Sequence, residues 1–121
     1  MLVVSFNDEG GWIDVSGSGF WTQEDMDRYV AALPAMLAKA RRAEGRATLL
    51  ADISDAAVQT QDVIDRISEF TAEMFTAEDK IAIVIPSMIM KMQMRRGVKG
   101  AQLQIFASKD EAKDWLRAAA V

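Results

Sequence analysis

Neither histidine nor cysteine occurs in this 121-residue chain, and proline occurs only twice. Without the first two there can be no disulfide, no thiolate chemistry, no zinc site of the usual ligand type and no Ser-His or Cys-His nucleophile pair. No window approaches the roughly 20 uninterrupted apolar residues of a membrane-spanning helix. The opening residues Met1-Leu2-Val3-Val4-Ser5-Phe6 lack the basic flank and long apolar core of a secretion signal, and Asp8 and Glu9 follow at once. A net charge of −4 gives no global pull toward nucleic acid or an anionic membrane. No Gly-x-x-x-x-Gly-Lys-Ser/Thr loop is present; Gly10-Gly11 and Gly17-Ser18-Gly19 read as turns beside a hairpin. These absences point away from an enzyme. They predict a cytoplasmic chain that uses no cofactor and no metal and has no nucleic-acid partner.

What is present is ordinary globular material, half apolar and a quarter charged. With no linker, repeat or low-complexity tract, residues 1–121 read as one domain. Its clearest stretch runs from Ile81 to Phe106. Ile81-Ala82-Ile83-Val84-Ile85 is short, β-branched and closed by Pro86, which reads as a buried strand. Ser87 then caps a helix over Met88 to Arg96, and Gly97 is placed to stop it. Leu103-Gln104-Ile105-Phe106 returns as a strand, so the two strands should be parallel neighbours joined by a right-handed crossover.

The rest of the chain supplies the remaining elements. Leu2 to Asn7 and Trp12 to Gly17 alternate as the arms of a hairpin. Thr22 caps a helix carrying Met26, Val30, Leu33, Leu37 and Ala40, which Pro34 should kink or split and Gly45 should end. Residues 48–53 read as the third strand. Thr60 caps a helix with a Val63, Ile67, Phe70 and Met74 stripe, and residues 76–79 form a turn. Ser108-Lys109-Asp110-Glu111 is a capping box that opens a last helix with Ala112, Trp115, Leu116 and Ala119. The expected fold is α/β in the order β-β-α-β-α-β-α-β-α. It has a five-stranded, mostly parallel sheet, an antiparallel N-terminal edge strand, and helices mainly on one face. One strand parity is apolar throughout; the other mixes polar residues with Trp12, Leu50, Val84 and Phe106. An uncovered patch of that kind predicts a homodimer interface through these four side chains, or else through the Met-rich helix.

The element order, the strand Gly11-Trp12-Ile13-Asp14-Val15-Ser16-Gly17 and above all the terminal pattern Phe106-Ala107-Ser108-Lys109-Asp110-Glu111-Ala112-Lys113-Asp114-Trp115-Leu116 resemble the bacterial SpoIIAA-like proteins. These small domains are related to the STAS (sulfate transporter and anti-sigma factor antagonist) fold and are described as STAS/Sec14-like. The resemblance covers the whole chain. It implies that fold and a non-catalytic role in protein or lipid binding. Anti-sigma antagonists of this type carry an Asp-Ser-Ser/Thr-Gly motif with a phosphorylatable serine. Here the region reads Asp52-Ile53-Ser54-Asp55-Ala56-Ala57-Val58-Gln59-Thr60, without the glycine or the paired hydroxyls. Ser54 and Thr60 therefore lie outside the expected motif, and Thr60 reads as a plain helix cap.

Two groups of residues invite a chemical reading. Asp14 and Asp52 lie on strands of one sheet and would suit acid-base work or Mg²⁺, but no catalytic motif frames them, and they read as solvated side chains. The segment 88–99 is less ordinary. Lys91, Arg95, Arg96 and Lys99 stand without an acid between Ser87 and Gly100, which leaves −8 on the rest of the chain. Among them lie Met88, Met90, Met92 and Met94, flexible thioethers of the kind found on adaptable apolar surfaces. These eight residues form the candidate binding site. The first function they suggest is a regulatory protein-interaction module with an acidic partner. The alternative is a carrier or sensor of a lipid or other anionic amphiphile. A plainer account fills the core with Met88, Ile89 and Met92 and lets the cations offset the helix dipole. A core-filling helix would also bury Met90 and Met94 and open no cleft beside itself.

Overall fold

A computed structural model describes residues 1–85 and 87–118. Pro86 and Ala119, each given a role above, lie outside the described residues. The elements follow the expected order: β1 (Leu2–Asn7), β2 (Trp12–Gly19), α1 (Gln23–Glu44), β3 (Thr48–Ala56), α2 (Gln61–Met74), β4 (Lys80–Val84), α3 (Met88–Gly97), β5 (Gln102–Phe106) and α4 (Lys109–Arg117). One sheet holds all five strands in sequence order. β1 runs antiparallel to β2, and every later pair is parallel. The β4–α3–β5 crossover joins parallel neighbours, with Ile81 opposite Leu103 and Ile83 opposite Ile105.

Local chemistry explains the element ends. The Thr22 hydroxyl accepts from the Asp25 amide at 3.0 Å, and the Asp25 carboxylate accepts from the Thr22 amide at 2.9 Å. This reciprocal box fixes the start of α1. Gly45 ends it at φ +78°, a left-handed conformation that a side chain disfavours. Between these caps α1 runs as one helix; Pro34 does not split it. Ser108 accepts from the Glu111 amide at 3.2 Å, which is the forward half of the capping box. Thr60 occupies the cap position of α2, yet its side chain makes no capping bond.

Two apolar clusters lie on opposite faces of the sheet. The larger joins Ile13, Val15, Leu49, Ile53, Ile81 and Ile83 to side chains of α1, α2 and α3. The smaller joins Trp12, Leu50, Ala82 and Val84 to Ala112 and Leu116 of α4. This corrects the expected interface: Trp12, Leu50 and Val84 are buried beneath α4, and Phe106 packs partly buried against Trp115 at 5.9 Å. The reason is connectivity. Helices α1 to α3 each join parallel strands advancing in one direction, so a common crossover hand puts them on one face. No strand follows α4 among the described residues, and it is free to cover the other side. Lys80 reinforces this placement. Its ammonium lies 4.8 Å from the Trp115 ring centre and reaches the Trp115 and Ala118 carbonyls at the end of α4.

β2 and its following loop are packed without slack. A methyl group on Gly17 would sit 2.7 Å from Cζ2 of Trp21 and 3.1 Å from Cγ2 of Ile53. Gly17→Ala is therefore expected to lower unfolding stability by about 1–3 kcal/mol through overpacking. A urea titration checks this; an unchanged midpoint would mean that the indole moves aside without cost.

Candidate functional site

The carboxyl ends of β2, β3, β4 and β5 lie along one edge of the sheet. Open α/β sheets bind ligands outside the carboxyl ends of their strands where the strand order reverses; this sheet keeps sequence order and has no such crevice, so the edge is a candidate through its exposed side chains. Here it gathers the loops 20–22 and 57–60 and the N-terminus of α3. Phe20, Val58, Met88 and Ile89 are exposed at this edge, with Met92 one helical turn further along α3. Met1, beside the end of β2, is exposed at the same edge; among the described residues the large exposed apolar side chain elsewhere is Val3 on β1.

The structure divides the Met-rich segment in two. Met88, Ile89 and Met92 are 70%, 58% and 55% exposed, whereas Met90 and Met94 are 1% and 3% exposed. The core-filling assignment of Met88, Ile89 and Met92 is thus reversed, and Met90 and Met94 leave the candidate surface site. The buried stripe is Met90, Gln93, Met94 and Gly97, at helical spacing. Gly97 does not stop the helix as a left-handed cap. It is the last residue of α3, where an added methyl would be 3.6 Å from both Ile64 and Ile67 of α2, a close helix-helix approach. On the outer side Arg95, Arg96 and Lys99 are exposed and Lys91 is half-buried. None of these cations forms an ion pair among the described residues. Met88, Met92, Lys91, Arg95 and Arg96 therefore share the accessible side of α3, with Lys99 just past its end.

Two glutamines that the sequence reading missed hold this edge in place. The Gln59 side chain accepts from the Trp21 amide at 2.8 Å and donates to the carbonyls of Gly19 at 3.0 Å and Ala57 at 2.6 Å. The Gln93 side chain in turn brackets the Gln59 backbone, accepting from its N–H at 2.9 Å and donating to its carbonyl at 2.8 Å. Both residues are buried. Loop 20–22, loop 57–60 and α3 are thereby one hydrogen-bonded unit. A polar residue at helical spacing with a methionine stripe was the available signal for Gln93; Gln59 offered none.

The structure brings Asp14 and Asp52 together in one pocket, with Ser5, Ser16 and Lys109 also in its lining. Asp14 accepts from the Trp12 indole at 2.9 Å and the Asn7 amide at 3.4 Å. Asp52 accepts from the Ser54 hydroxyl at 2.7 Å, so each is occupied by its own neighbours. Among the described residues no three Asp or Glu side chains converge as a metal site, and no helix is long and apolar enough to cross a membrane.

The SpoIIAA-like family model matches residues 12–117. A solved structure from Shewanella loihica PV-4, an uncharacterised protein of the DUF3478 family with a SpoIIAA-like fold, superposes with a TM-score of 0.67 at 17% identity, covering 96% of this chain and 92% of that one. At that identity the likeness establishes the fold alone. No curated protein matches the sequence. The family match runs from the second strand to the end of the last helix, and the chain belongs to the SpoIIAA-like family.

Proposed function

We propose that this STAS-like domain is a non-catalytic interaction module that docks an acidic, apolar-faced protein segment on its carboxyl edge. One observation carries this reading: exposed Phe20, Val58, Met88 and Ile89 gather at the carboxyl edge, and from there Met92 leads along the outer side of α3 to Lys91, Arg95, Arg96 and, past its end, Lys99, which have no ion-pair partner among the described residues. Apolar side chains supply contact area, and the cations select an acidic partner and speed encounter. An isologous dimer across α3 would set these cations against their own copies, which argues for a different, acidic partner at this surface.

The same surface favours a second reading, an anionic amphiphile or lipid bilayer, because Met88 and Phe20 are the most exposed large apolar side chains on this edge. One pair of measurements separates the two. Arg95→Glu, Arg96→Glu is expected to fold with a stability within about 1 kcal/mol of the parent, since both side chains are exposed. A photo-crosslinking residue at Met92 should yield protein adducts in cells that disappear in the charge-reversed variant. Vesicles containing phosphatidylglycerol should bind neither form. Charge-dependent vesicle binding that weakens with salt would transfer the site to the lipid reading. Adducts that ignore the charge reversal would remove both.

A further inference from the structure

The larger apolar cluster is not filled. A cavity of about 50 Å³ lies between the sheet and helices α1 to α3, with Val15, Met26, Ile53, Ile67, Ile83 and Met94 in its walls. Its position follows from the packing. α1 sits on β1 and β2, and α4 on β3 to β5, whereas α2 packs chiefly against its neighbouring helices. The gap beneath α2 is bridged by side chains alone. A single buried water needs about 10–15 Å³ of such space, so there is room for a larger occupant.

One residue of this wall carries an unanswered polar atom. Trp21 lines the cavity, and its buried indole Nε1–H has no hydrogen-bond partner among the described residues. The rest of Trp21 is fixed: its amide is held by Gln59 and its ring lies against Gly17. Thr71, also in the wall, is already used; its hydroxyl donates to the Ile67 carbonyl at 2.8 Å and accepts from the Lys99 amide at 3.0 Å. A water would find Trp21 and, at best, the hydroxyl of half-buried Tyr29, the low end of the two to four partners that a buried water takes. An ionised carboxylate fits worse. No cation is among the lining residues, and one donor does not repay the desolvation of a charge. A neutral carbonyl on a short aliphatic body satisfies both features, the apolar wall and the single donor.

We propose that this cavity binds a small uncharged apolar molecule with one acceptor oxygen, such as a short-chain ketone or ester, whose carbonyl accepts the hydrogen bond of Trp21 Nε1. The site lies inside the fold and stands independently of the docking surface. The test uses the full chain with labelled methionine methyl groups and labelled indole nitrogens, titrated by NMR with 2-pentanone and, separately, with n-pentane. The methyl signals of Met26 and Met94 report occupancy, and Trp21→Phe identifies the Trp21 indole signal. The ketone should shift both methyl groups and move the Trp21 indole proton downfield, saturably. Once each affinity is referred to that molecule's own transfer from water to hydrocarbon, pentane should bind about tenfold more weakly, the loss of one hydrogen bond to a buried donor. Trp21→Phe should bring the ketone down to the pentane level, and Ala51→Leu, which fills the cavity, should abolish both responses. Three results overturn the proposal: ketone and pentane affinities that are equal once referred to transfer from water, an unmoved indole proton at saturation, or no methyl response with an indole-to-water contact showing that water alone occupies the space.

Discussion

Asp79→Ala is expected to lower unfolding stability by about 3 kcal/mol, which for a chain of this size is a fall in midpoint temperature of roughly 10 °C. Asp79 is 1% exposed and joins three segments at the amino end of the sheet. Its carboxylate accepts from Arg41 of α1 at 2.7 Å, from the Ala47 amide at 2.8 Å and from the Thr76 amide at 2.8 Å. Removing it strands two backbone donors and leaves the Arg41 guanidinium with its bond to the Met74 carbonyl at 2.8 Å but without a countercharge. The guanidinium is about a third exposed, and water answers part of its loss, so the figure belongs at the lower end for a broken buried pair. Burial pushes the Asp79 carboxyl up, but the Arg41 bond and the two amides outweigh it and hold it below the ordinary carboxylate range. Its native value is thus depressed relative to the unfolded chain. The stabilisation is complete above the ordinary carboxylate pKa near 4 and is lost as pH falls through the lower native value. Urea titrations from pH 7 to pH 3 should show this acid loss in the parent and not in Asp79→Ala. A variant within 1 kcal/mol of the parent at pH 7 would show that the three segments are held by other contacts.

Asp79 also shows where a sequence stops being readable. Residues 76–79 read correctly as a turn, because the signal is local. The partners that make Asp79 structural, Arg41 and Ala47, are 38 and 32 positions away. The strands were legible for the opposite reason: β-branched runs such as Ile81 to Val84 carry their state in their own composition. The face of α3 was not. Its buried stripe is Met90, Gln93, Met94 and Gly97, and a glutamine and a glycine disguise two of its four positions. The periodicity of the remaining apolar residues then favoured the wrong side of the helix. The covering of Trp12, Leu50 and Val84 by α4 was hidden differently. The stripe of Ala112, Trp115 and Leu116 announced a buried helix face, but periodicity alone does not say which side of the sheet a helix meets. The cations of α3 were legible as a cluster, and their exposure beside Met88 and Met92 is what tertiary packing added.

Gln93→Leu should have its main effect at a distance from its own surface. The substitution keeps the volume of the buried stripe and deletes the two bonds to the Gln59 backbone. An unanswered N–H and C=O remain in a buried loop, at about 1–3 kcal/mol each, and local opening to water recovers part of that; a net loss of about 2–3 kcal/mol is expected. Gln59→Leu breaks a different joint. It removes the side-chain bonds to Trp21, Gly19 and Ala57 while its backbone stays bracketed by Gln93. Amide hydrogen exchange distinguishes the two. The Gln93 variant should lose protection in α3 and loop 57–60, and the Gln59 variant in loops 20–22 and 57–60 with α3 retained. Both leave Phe20, Met88, Met92 and the four cations chemically intact. If the carboxyl edge docks a partner as a preorganised surface, each variant should weaken Arg95- and Arg96-dependent crosslinking at Met92 although it alters no contact residue. Unchanged exchange in α3 of the Gln93 variant would mean that Met90, Met94 and the Gly97 approach to α2 hold the helix unaided. Crosslinking at full strength beside lost protection would instead show that the surface works without being held rigid.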